Sequence, residues 1–389
     1  MYATRPLSLY RENSNELSWL PPAEAHGSSG YLFITDNEEE SVVKDVKGGF
    51  LFPHNKFVNV VYRKGVGYYR NIEWEKVWFI PVPDQPLSSN KYYVIRAYGK
   101  HKGQAITCSR QEDMGTCFCS KYIKDVKPKD LNHRNIYQIV EIEQKHGGFV
   151  AKSVVPDGIL PGFLRDSQGW NVYKSDSKLC QLTQALGLNF SLRSVLPELN
   201  FPLRGSQISS PPVTIGKWYC PAVFMRDGDL RHQLETFLFY EMTLEQFWEA
   251  IYKCKNDYYS HSNAVTVSTN VKKETVKLFG MKATMDNMDH DGTDGIHWIR
   301  NEENNVLGLS IAIVDKMKLI QEKGGFIGGD GERDARVEHV EEFKQGNHAG
   351  WERFGCFVLV ERFVLKTMSG AVVFTCDYKH VHQLQCKWA

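Results

Sequence analysis

Cys108, Cys117 and Cys119, with His101 and His133 a moderate distance away along the chain, form the densest run of side chains able to do chemistry. Thiolates and imidazoles are the donors that zinc prefers. Structural zinc sites usually separate paired cysteines by about two to four residues, so Cys117-Phe118-Cys119 suits a shared tetrahedral centre badly. Free cysteine is among the most buried residue types, which favours ordinary core thiols over a metal site or a redox or nucleophilic thiol. The reading adopted is that no metal is held, with Cys108, Cys117 and Cys119 the candidates if one is. For a catalytic pocket the candidates are His101, Lys102 and Cys108.

Three further patterns suggest chemistry. Asp286, Asp289, Asp291 and Asp294 surround Gly292 and Gly295 and resemble a calcium loop, but in that alignment the twelfth position is Trp298 where a bidentate glutamate belongs. An acidic turn between strands is the better account. The run Gly324-Gly325-Phe326-Ile327-Gly328-Gly329-Asp330-Gly331 lacks the Lys-Ser/Thr of a phosphate loop and follows a helical pattern, so it reads as a connection. His380 and His382 alternate along an extended segment and would share one strand face, as metal ligands or as part of a polar face. Nucleophile-elbow, metalloprotease and kinase signatures are absent.

The elements that would position these groups are mostly strands. Short β-branched and aromatic runs occur at Tyr31–Ile34, Phe57–Tyr62, Val77–Ile80 and Tyr92–Ile95, and again at Cys356–Val360, Phe363–Leu365 and Ala371–Phe374. Gly370 marks a hairpin turn. Ala264–Val271 alternates apolar and hydroxylated residues and is followed by Thr275–Phe279. Membrane-inserting hairpins alternate in this way, as does the far commoner half-solvated sheet, which is the reading adopted. A helix is predicted over Thr243–Tyr252, where Thr243 and Gln246 fit a capping box and Leu244, Phe247, Trp248 and Ile251 share a stripe. A second is predicted over Val314–Lys323, stopped by Gly324-Gly325.

The 389 residues exceed one ordinary core. The expected organisation is an irregular lead-in at 1–30, a β-rich domain at 31–203, a linker at 204–212 (Arg204 to Pro212) and an α+β domain at 213–389. The fold class is α+β and β-rich: two packed antiparallel-sheet domains with one or two covering helices. Hydrophobic residues at 42% and charged residues at 24% are globular proportions. A formal net charge of +1 disfavours nucleic acid as a partner, and Lys121, Lys124, Lys127 and Lys129 are interleaved with Asp125 and Asp130 as on a solvated face. There is no apolar signal core at the start and no transmembrane run, and the nine cysteines are odd in number. These features predict reduced thiols and a cytoplasmic protein with access to the nucleus.

Several longer passages are more specific: Met1–Arg11, Gln85–Ile95, Gly99–Gly103, Gly216–Pro221, Phe239–Gln246 and Phe354–Phe363. Together they resemble the plant family defined by domain of unknown function 1262. The resemblance spans the chain and implies a plant, intracellular protein; it brings no known activity, cofactor or catalytic residue. With no catalytic signature and 12% aromatic residues, the favoured function is a non-enzymatic binding or interaction protein, with stress or defence responses as its setting. Its partner would be a protein or a small molecule. The alternative is an enzyme of unfamiliar type acting on a small molecule through a pocket of His101, Lys102 and Cys108 or the Cys117 region.

Overall fold

The computed structural model describes residues 1–8, 30–34, 42–46, 49–65, 71–113, 115–117, 120–122, 124–166, 168–175, 180–200, 202–256, 263–285, 295–328, 334–344 and 350–389. Strands β1 (Tyr2–Pro6) and β2 (Gly30–Ile34) pair in parallel, and β3 (Val43–Val46) and β4 (Gly49–Leu51) form a short ribbon. A first sheet uses β5 (Val58–Lys64), β6 (Asn71–Pro81), β7 (Lys91–Arg96), β10 (Ile139–Lys145), β11 (Gly148–Ser153) and β12 (Asn171–Lys174). Its order is β11-β10-β7-β6-β5-β12, antiparallel throughout, and a ribbon of β8 (Gly115–Cys117) and β9 (Ser120–Tyr122) interrupts it in sequence.

The second half supplies β13 (Gly187–Leu188), β14 (Val213–Pro221), β15 (Met225–Arg226), β16 (Phe239–Lys255), β17 (Ala264–Lys272), β18 (Glu274–Leu278), β19 (Met281–Met285), β20 (Ile296–Asn301), β21 (Val306–Ser310), β22 (Asp334–Glu342), β23 (Arg353–Thr367) and β24 (Val372–Trp388). Most of them join a twelve-stranded sheet in the order β15-β21-β20-β19-β18-β24-β23-β16-β14-β1-β2, with β13 on β14. β17 and β22 pair as a separate two-stranded ribbon. The β-rich class holds. Gly370, at φ +91°, makes the β23–β24 turn, where its missing Cβ removes the left-handed penalty.

The helix predicted over Thr243–Tyr252 is a correction: this stretch lies inside β16, a strand of 17 residues. β16 is central in the sheet, between β14 and β23, and both its faces are covered. Leu244 packs into the large core, Phe247 against Val358 and Val360, and Trp248 against Leu203, Phe357 and Leu359. Burial on both faces removes the period-2 alternation of a half-solvated strand, and the remaining apolar residues fall at i, i+3, i+4 by coincidence. Thr243 caps nothing; it pairs with Lys217 on one side and Val364 on the other.

The second helix is present and begins three residues early, as Ile311–Lys323. The Ser310 side chain accepts from the Ala312 amide, and Gly324 closes the other end. Between the halves, Ser210 N–H donates to the Trp248 carbonyl and Ala250 N–H to the Ile208 carbonyl, so residues 208–210 run beside β16. Two main clusters fill the molecule. One, with Phe52, Phe79, Tyr92 and Trp170, is drawn from the first sheet, its connections and the β3–β4 ribbon before it. The other mixes residues from both sides of 204–212, among them Tyr2, Leu32, Trp78, Tyr93, Trp218, Phe239 and Phe363.

Candidate functional site

The first sheet carries a cleft because its core face ends in polar residues. Val58 and Val60 on β5, Val77 and Phe79 on β6, and Tyr92 and Val94 on β7 face the aromatic core. One pleat further along the same faces stand Tyr62, Glu75 and Arg96. Arg96 Nη2 meets Glu75 Oε2 at 2.9 Å, and the Arg96 guanidinium lies 5.5 Å from the centre of the Phe163 ring. The Tyr62 hydroxyl donates to Glu73 at 3.0 Å; burial first, and that bond second, push its pKa well above the ordinary tyrosine value.

Loops close the sides. The Asp125 carboxylate accepts from the Gly162 amide at 2.8 Å and from Arg165 at 3.0 Å, which fixes the turn carrying Phe163. Asp166 accepts from the Arg63 backbone amide at 3.2 Å, and the Arg63 guanidinium donates to the neutral Gln168 side chain. His101 Nδ1 sits 2.7 Å from Gln104 Oε1, in a loop that turns through Gly99 and Gly103 at positive φ. The resulting cleft encloses about 690 Å³. Arg63, Lys64, Arg96 and Arg165 line it against Glu75, Asp125 and Asp166, with Ile106 and Phe163 as apolar floor. Lys64 pairs with Glu73 at 3.0 Å just outside the lining, so the four cations are matched by four carboxylates, and Arg63 is the cation whose guanidinium is on a neutral amide.

Among the described residues, His101 is the one candidate catalytic or metal-binding residue from the sequence that reaches this cleft. Lys102 pairs instead with Glu235 at 2.8 Å. Cys108 is in the aromatic core, where burial pushes its thiol up and a bond to Ser153 opposes the shift. Cys117 lies on β8, while Cys119 and Asp286, Asp289, Asp291 and Asp294 lie outside the described residues. His133 is half-buried, its Nδ1 has no hydrogen-bond partner, and burial lowers its basicity. The cleft residues missed by sequence reasoning carried one signal: each strand's alternating apolar face ends in Tyr62 or Arg96.

A second polar assembly is buried between β16, β23, β24 and the two helices Phe190–Ser194 and Ile311–Lys323. Glu361 accepts from Arg193 Nε at 2.8 Å and Nη2 at 2.5 Å, from Gln321 at 2.9 Å and from Gln246 at 3.2 Å. His380 is buried with neither ring nitrogen hydrogen-bonded; its Nε2 stands 3.7 Å from Glu361, an ion-pair distance. Burial alone would disfavour the Glu361 carboxylate, but His380 and Arg193 outweigh it and hold the group at about 2. His382 is 5.8 Å from His380 ring to ring. The Arg193–Glu361 ion pair has its carboxylate well satisfied, while both His380 ring nitrogens and Gln321 Oε1 are left without a hydrogen-bond partner.

The family model described as a protein of unknown function (DUF1262) matches residues 25–120. That stretch contains Tyr62, Arg63, Lys64, Glu75, Arg96 and His101 of the cleft. No curated protein matches the chain. Among solved structures the crystal structure of Cry35Ab1 is similar, with 12% identity, a TM-score of 0.44, and coverage of 87% of this chain and 90% of that one. No helix among the described residues is long and apolar enough to cross a membrane.

Proposed function

We propose that the chain is a binding protein whose cleft on the first sheet takes a small anionic molecule. One observation carries this reading: a 690 Å³ recess with an apolar floor, lined by Arg63, Lys64, Arg96 and Arg165. Recesses of this size, mostly shape and apolar floor with a few placed polar groups, are the usual form of small-ligand sites. Arg63 is the anchoring cation, since its guanidinium leans on a neutral amide and not on a carboxylate. Binding without catalysis is supported by the candidate thiol and amine being held elsewhere, Cys108 in the core and Lys102 on Glu235. The described cysteines are free thiols, which supports a reducing compartment such as the cytosol, and a plant setting remains what the family resemblance implies.

Calorimetry against a panel of small carboxylates and phosphate esters tests this. Saturable binding of a panel member is expected, weakened at least about tenfold by Arg63→Ala, the scale of losing a charged hydrogen bond. A panel without binding, or binding indifferent to Arg63→Ala and to salt, would reject the cleft as the site.

A further inference from the structure

Three donor side chains meet where the β17–β22 ribbon lies on the ends of β23 and β24, and a fourth, Cys356, stands beside one of them. His339 and Glu341 stand two apart on β22 and so project from one face, with His339 Nε2 2.8 Å from Glu341 Oε2. Cys386 on β24 completes a group whose ligand atoms all lie within 4.8 Å of one another. Directly across the β23–β24 ladder from Cys386 stands Cys356, and the two thiols are hydrogen-bonded.

We propose that His339, Glu341, Cys386 and Cys356 form a zinc site that pins the ribbon to the large sheet. One imidazole, one carboxylate and two thiols are a complete four-coordinate donor set for zinc, whereas magnesium and calcium select oxygen. The assembly also has a mechanical reason. The ribbon shares no ladder with the large sheet. It is held through Val265 and Val267 against Phe354, Cys356 and their neighbours. An ion taking two ligands from β22 and one each from β23 and β24 would bridge that junction. His339 and Glu341 are about one-third exposed, so an ion can reach the site from solvent, while Cys356 forms its buried wall.

The donors are distant in sequence, which is why no cysteine-histidine motif announces them. Reduced, chelator-treated full-length protein titrated with Co²⁺ tests the site, because thiolate charge-transfer and tetrahedral d–d bands report sulfur ligation directly. One equivalent of Co²⁺ should give both bands, Zn²⁺ should displace it, and bound Zn²⁺ should raise the melting temperature. Cys386→Ser and His339→Ala should each weaken binding by at least about tenfold, since losing even an outer-shell partner costs that much; Cys180→Ser should not. Absence of the thiolate bands in the unaltered protein, or bands that survive both ligand substitutions in variants that circular dichroism shows to be folded, would overturn the proposal. So would a reduced protein that refuses Co²⁺ yet forms a Cys356–Cys386 disulfide in air.

Discussion

His54 and Glu361 are the two buried titratable residues whose environments pull hardest against protonation. The His54 Nδ1 accepts from the Phe33 amide at 3.2 Å, which places its proton on Nε2, where no partner stands. Burial drops this histidine from 6.5 to about 3, and Glu361 falls from 4.5 to about 2. In both cases the unfolded chain holds more protons than the native one in the window between the two values. Their stabilising contributions are therefore full above the unfolded values and are lost as pH falls: first through His54 below 6.5, then through Glu361 below 4.5. The unfolding free energy from urea melts should be level above about pH 7 and decline below it, by on the order of a few kcal/mol before Glu361 begins to titrate. His54→Asn should flatten the upper part of that decline. A midpoint of the unaltered protein that holds down to the Glu361 range would remove His54 from this role. Neither residue stood out in the sequence, because a histidine's burial is set by what packs on it. Cys108, Cys117 and Cys119 stood out through closeness along the chain, whereas His339 and Cys386 are brought together only by the packing of the β17–β22 ribbon on the large sheet.

At the scale of elements, the strands with a solvated or single buried face were legible. Val58–Lys64 alternates, Lys91–Arg96 was legible by its aromatic and β-branched run although both its faces are buried, and Ile311–Lys323 announced itself by period and a glycine stop. β16 was not legible, since a strand buried on both faces has no period of its own and local spacing then suggests a helix. The aromatic and β-branched content of Phe239, Tyr240, Thr243, Phe247, Trp248, Ile251 and Tyr252 was the stronger signal. Trp248 remains the residue on which the element turns: it is buried, and its Nε1 donates to the Pro197 carbonyl at 2.6 Å. Trp248→Ala should cost about 3–5 kcal/mol through lost burial and the cavity left behind. Glu249, on the other face, pairs with Lys379, and Glu249→Ala should cost no more than about 1 kcal/mol. Denaturant melts of both variants decide it. Equal costs would mean that the Trp248 pocket collapses freely and that the strand is not anchored there.

For the whole molecule, composition marked a boundary at 204–212 but could not show where the chain ends return. The first sheet and its aromatic core are built from residues before that boundary, which supports dividing the chain there. Yet β1 pairs with β14 through Tyr2 and Tyr219, and β2 extends the large sheet beyond it. Trp78 and Tyr93 from the first sheet share a cluster with Trp218, Phe224 and Phe239 from the second. Trp78 packs edge-on against Phe239 at 5.4 Å, and Tyr93 against Phe224 at 6.3 Å. Each such aromatic pair adds about 0.5–1.5 kcal/mol beyond its buried area. We propose that the boundary is a cleavable connection between two sheets that share this seam. Limited proteolysis should cut first near Arg204–Gln207, where the backbone is exposed, and not at 208–210, which β16 holds. The two fragments should then elute together from gel filtration in native buffer and separate only in denaturant, because the cut leaves the seam and the β1–β14 pairing intact. Fragments that part without denaturant, each with its own melting transition, would mean that the shared cluster contributes too little to hold the halves and that each sheet is stable on its own core.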